Sequence, residues 1–131
     1  MISINLPNKY RSNQAQLKDA FGLLLGKKNK YNYFVGVKFM SKDKIQAVNK
    51  QYRKLDKPTD VLSFPLFESI EELPTNDCAI GDLILCLEMM ENDHLSFFES
   101  LVHGVIHLLG FDHEQNEAEW NQARKKVAIS K

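Results

Sequence analysis

Short apolar runs and amphipathic segments of helical period alternate along this chain with no linker between them, which restricts it to a sheet packed by helices. Residues 2–6 read as a strand. Residues 14–25 place Leu17, Phe21, Leu24 and Leu25 at helical spacing and stop at Gly26. A second strand is expected over 33–40. Ser41 then offers an N-cap to a helix over 42–55, whose Ile45, Val48 and Tyr52 form one stripe to be packed away. Lys57-Pro58-Thr59-Asp60 breaks that helix and leads into a strand over 61–66, where Pro65 points to a sheet edge. Residues 67–78 are acidic, carry Pro74 and Asn76, and read as the least structured stretch. A strand over 79–87, a helix over 95–109 stopped at Gly110, and a last helix over 118–129 complete the order.

The expected fold class is therefore α+β, a single domain over residues 1–131 with a mixed β-sheet packed by helices. That length buries a core without staples. Apolar residues at 44% and charged residues at 26%, with no low-complexity tract, exclude a disordered chain. No apolar run approaches the roughly 18 to 20 residues of a membrane span, and residues 1–10 lack a secretory pattern. The expectation is a cytoplasmic protein with no membrane partner. Cys78 and Cys86 fall eight apart on one face of the expected strand, too far apart to bond within it, and read as free thiols.

Formal net charge is zero, yet the charges are segregated. Residues 27–57 hold ten Lys or Arg against Asp43 and Asp56, whereas residues 58–100 hold ten Asp or Glu and no Lys or Arg. A basic block is either an electrostatic footprint for a polyanion or a solvated helix face.

Three of the four histidines fall within eleven residues, as His103-x3-His107-x5-His113. The first two stand at i and i+4, so on a helix their rings share one face at a separation that one metal ion bridges. Phe98, Leu101, Val102, Val105 and Leu109 cluster on the other side of that helix, so these are not ordinary core histidines. Gly110 takes the left-handed turn that stops the helix, and Phe111-Asp112 brings His113 back toward the same ion. Three protein ligands with an open fourth position are the pattern of a catalytic zinc site, and one Zn²⁺ per chain is the expected cofactor. Such an ion gives a bound water a pKa near 7 and polarises the bond under attack, so hydrolysis is the expected reaction class.

The segment overlays the metzincin protease pattern H-E-x-x-H-x-x-G-x-x-H, except that Gly104 occupies the position of the general-base Glu. A peptidase needs that carboxylate for a proton transfer worth roughly 10² to 10⁴ in rate. Gly104 therefore argues against a zinc peptidase or amidase.

In this form, His103-Gly104-Val105-Ile106-His107-Leu108-Leu109-Gly110-Phe111-Asp112-His113, the segment resembles the motif of the YbeY family of bacterial endoribonucleases. The resemblance extends to Asn49, Tyr52-Arg53, the run Pro58-Thr59-Asp60-Val61-Leu62-Ser63-Phe64-Pro65 and Ile80-Gly81-Asp82, and so covers essentially the whole chain. It implies metal-dependent cleavage of single-stranded RNA, in processing the 3′ end of small-subunit ribosomal RNA and in ribosome maturation and quality control, with the small ribosomal subunit and its proteins as partners. It also points to Arg53 as a catalytic residue, in keeping with the affinity of a guanidinium fork for a charged phosphodiester. The bland alternative for Arg53 is an ion pair with Asp56 or Asp60. Asp60 and Asp82 read as structural, Asp112 as a capping residue with a ligand-orienting or proton-accepting role as the alternative, and His94 as a surface histidine rather than a fourth ligand that would close the site. A ribosome assembly factor with a mainly structural metal is the reading from another class.

Overall fold

The computed structural model describes residues 1–112 and 114–130, with side chains in the last helix as far as Val127. Four strands, β1 (Ile2–Ile4), β2 (Tyr33–Phe39), β3 (Val61–Pro65) and β4 (Cys78–Leu85), form one sheet in the order β1-β2-β4-β3. β1, β2 and β4 run parallel, while β3 lies antiparallel on β4 with Val61 opposite Leu85 and Ser63 opposite Leu83. β3 is thus an edge strand, and Pro65 ends it where a missing N–H costs no ladder bond. Among the described residues five α-helices accompany the sheet: α1 (Arg11–Leu25), α2 (Lys42–Arg53), α3 (Leu87–Asn92), α4 (Phe97–Leu108) and α5 (Glu117–Ser130). The mixed α+β single domain expected from the sequence is what the chain forms. No helix among the described residues is long and apolar enough to cross a membrane.

α4 lies directly on one face of the sheet, and α1 and α5 pack over it. Gly104 permits this close approach, because a Cβ there would stand 2.9 Å from both Leu83 Cδ2 and Val61 Cγ2. The core runs through this layer, with Ile2, Phe21, Tyr33, Leu83, Leu85, Leu101 and Ile106 fully buried. A smaller cluster of Ile45, Leu62 and Cys86 joins α2 to the opposite face at the β3 end.

Three sequence expectations change. The strand expected to reach residue 87 ends at Leu85, and good helix formers after Cys86 begin α3, so the two thiols do not share a strand face. Both are free, Cys78 half-buried and Cys86 buried. Tyr52, expected within the packed stripe of α2, is 63% exposed, because the stripe continues past the small cluster that covers Ile45. The acidic stretch after β3 is folded down rather than loose: Lys28 Nζ donates to the carbonyl oxygens of Ile70, Glu71 and Leu73 at 2.7, 2.7 and 2.8 Å, and Leu73 is buried.

Candidate metal centre

α4 starts at Ser96, whose Oγ accepts from Glu99 N at 3.0 Å, and ends in a Schellman turn, with Gly110 N donating to His107 O and Phe111 N to Ile106 O. Gly110 has φ of 95°, and any side chain there would collide with the carbonyl of Glu68. The helix end is therefore sterically committed to reversing the chain at this point.

Along α4, residues 100–109 are buried except His103 and His107, which are half-buried. Their Nε2 atoms converge to 3.1 Å. Two ligands at 2.0–2.1 Å from one tetrahedral ion stand about 3.3 Å apart, so the pair has the spacing and the sp² nitrogen chemistry that zinc requires. Trp120 of α5 closes the other side, its ring centroid 5.1 Å from that of His103 and 4.8 Å from that of His107. The indole, 5% exposed, fixes both rings between α4 and α5. Among the described residues no third His, Cys, Asp or Glu completes a metal group, and His113, the third ligand read from the sequence, lies outside them.

The two imidazoles open onto a cleft of about 150 Å³ that is also lined by Arg53, Thr59, Asp60, Ser63 and Asp112. β3 forms its wall, held to α4 by Ser63 Oγ, which donates to Gly104 O at 2.9 Å. Arg53 arrives as the last residue of α2, where Lys54 adopts a left-handed conformation and donates its N–H to Asn49 O. The Asn49 amide donates to Lys57 O at 2.8 Å and shapes the loop that follows. Among the described residues neither Asp56 nor Asp60 pairs with Arg53: Asp56 meets Lys50 at 3.7 Å, and Asp60 accepts from Ser100 Oγ and Thr59 Oγ1. The exposed guanidinium is left to the cleft. Asp112 caps the turn beyond α4, its Oδ1 accepting from Glu114 N at 2.9 Å and its carbonyl from Asn116 N. Asp82 lies on the opposite face of the sheet, over Gly36, and is no part of this cleft. His94 is exposed, with φ of 56°.

Sequence reasoning brought His103, His107 and Arg53 together but missed Trp120 and Ser63. Trp120 is the only tryptophan of the chain, a signal without spacing to interpret it. Ser63 carried none. The position of Gly104 also gains a physical meaning, since it faces Leu83 and Val61, and a carboxylate there would be driven into apolar packing.

Fold and cleft together define an α+β domain in which a paired-histidine helix lies beneath the edge strand of a mixed sheet, with an arginine across the opening. A family model described as Endoribonuclease YbeY matches residues 4–130. The chain belongs to the endoribonuclease YbeY family. It is 36% identical over 131 residues to the endoribonuclease YbeY of Acinetobacter baumannii strain AB307-0294, covering 88% of this chain and 83% of that one. It is 32% identical over 122 residues to that of Acetivibrio thermocellus, covering 79% and 75%. The solution structure of TM1509 from Thermotoga maritima superposes with a TM-score of 0.54 at 26% identity, over 99% of this chain and 89% of that one.

Proposed function

We propose that this chain is a zinc-dependent endoribonuclease of single-stranded RNA, working in the cytoplasm on the 3′ end of small-subunit ribosomal RNA and in ribosome maturation with small-subunit proteins. Family membership supports RNA cleavage, and the motif resemblance supports the ribosomal setting. The observation that carries the chemistry is the 3.1 Å convergence of His103 and His107 Nε2 in a cleft that also holds Arg53.

His103, His107 and His113 are the residues that would hold the ion. When bound, zinc supplies Lewis acidity toward a phosphodiester and lowers the pKa of water. The remaining work falls to this chain's own groups. The Arg53 fork binds non-bridging phosphate oxygens and neutralises charge that accumulates as the P–O bond breaks. Trp120 fixes both imidazole planes and excludes water from their far side. Asp60 and Asp112 are already engaged as acceptors, and so they shape the walls of the cleft. The lysines of α2 supply phosphate attraction, but zero net charge keeps binding of naked RNA weak and salt-sensitive.

The test incubates the zinc-loaded chain, His113→Ala and Arg53→Ala with end-labelled single-stranded RNA and, separately, with an unfolded protein. RNA cut by the unaltered chain and by neither variant is the expected result. Cleavage of the protein instead, or no cleavage with unfolding on zinc removal, overturns it in favour of a peptidase or of an assembly factor with a structural metal.

A further inference from the structure

On the opposite side of β3 from the histidines, a groove of about 510 Å³ runs between α2 and the sheet. That volume falls within the range of small-molecule sites, ~300–1,000 Å³. Its lining includes Val48, Tyr52 and Phe64, with Lys38 and Asp82. The sheet register explains the arrangement: Phe64, Asp82 and Gly36 form one row across β3, β4 and β2, and Leu62, Ile84 and Lys38 form the next. Tyr52 packs against Phe64 in a T-shaped pair, ring centroids 5.3 Å apart and planes at 79°, and is still 63% exposed. The exposed ring stands at the end of the apolar stripe of α2, beside the apolar lining of the groove.

From this geometry we infer that Tyr52 is a base-stacking subsite for the single-stranded RNA, one step along the strand from the cleft. The inference rests on the RNA-cleaving reading above. Continuity argues for it, since Tyr52 is bonded to Arg53 and Phe64 to Ser63, so strand β3 and the end of α2 border both the cleft and the groove. Charge argues for a base rather than a phosphate at this ring. Lys38 and Asp82 both line the groove and both are exposed, so their charges offset and the contact there falls to the aromatic ring rather than to a phosphate. A nucleobase on an aromatic face is the sequence-tolerant contact that single-stranded RNA offers and a duplex does not.

The test uses Tyr52→Trp, which adds a surface fluorophore to a chain whose own tryptophan is buried against the histidines. The full chain is titrated with a fluorescently labelled oligouridylate long enough to span cleft and groove, and with a duplex of equal length. Tryptophan emission and the anisotropy of the RNA label are both read. The expected result is saturable quenching of the added emission by the single strand alone, binding weakened about tenfold by Tyr52→Ala, and binding restored by Tyr52→Phe. In cleavage, Tyr52→Ala should raise KM and leave kcat for the long oligonucleotide. Binding without quenching overturns the subsite and leaves the nuclease reading standing. Quenching without cleavage keeps the subsite and removes the nuclease reading, and no binding at all removes both.

Discussion

Ser100 Oγ donates a 2.8 Å hydrogen bond to Asp60 Oδ2, tying the buried face of α4, one turn before His103, to the loop that walls the cleft. Ser100 is 1% exposed. Ser100→Ala removes one donor and leaves Thr59 Oγ1 on the other carboxylate oxygen, so the cost should be about 1–2 kcal/mol in urea unfolding. An unchanged midpoint would show that water replaces the serine.

The convergence of the imidazoles sets a second expectation. His103→Ala and His107→Ala should each weaken zinc by more than the ~10- to 100-fold that loss of an outer-shell partner produces. Chelator competition on the folded variants measures this directly. Equal zinc retention in either variant would remove that residue from the ligand set.

Arg53→Ala should lower kcat on single-stranded RNA by ~10²- to 10³-fold, the loss that follows removal of one preorganised donor from a developing oxyanion. Arg53→Lys keeps the charge without the fork and should recover only part of the rate. Because the side chain is exposed and outside the core, thermal unfolding of both variants should match the unaltered chain.

Gly110→Ala forces a side chain into a backbone at φ of 95° and against the Glu68 carbonyl. A loss of at least ~2 kcal/mol is expected from strain and collision together. On the proposed three-histidine site zinc affinity should fall with it; calorimetric titration of the folded variant separates the two effects.

Tyr33 supplies the pH dependence. Burial pushes its phenol above the ordinary value of 10.0, with Cys78, Tyr31 and Asp77 adding to the rise. The folded chain therefore holds this proton more tightly than the unfolded one. The resulting stability is whole below pH ~10 and is lost as pH rises through the folded value above it. Tyr33→Phe gives up the 2.7 Å bond to Pro74 O, costing about 1 kcal/mol at pH 7. The gap in urea midpoint between the two chains should narrow above pH 10.

What could be read from the sequence was what periodicity and spacing record. The caps at Ser41 and the stop at Gly110 sit where their side-chain chemistry places them, and the i, i+4 histidines do share a helix face. Strand order was not legible, because β2 pairs with β4 across a gap filled by α2 and β3, and nothing in a local window reports that contact. The role of Gly104 was half legible: its spacing spoke against a protease, but its packing on Leu83 and Val61 is a tertiary fact. Tyr52 was misread for the same reason, since a stripe on a helix does not say where its cover ends.

β3 alternates its allegiance residue by residue. Val61 and Ser63 turn toward α4, whereas Leu62 and Phe64 turn toward α2. A single residue inserted or deleted within Val61–Pro65 would exchange these two sets, putting a leucine or phenylalanine against Gly104 and a serine into the apolar cluster. Length variation should therefore be refused inside the strand itself.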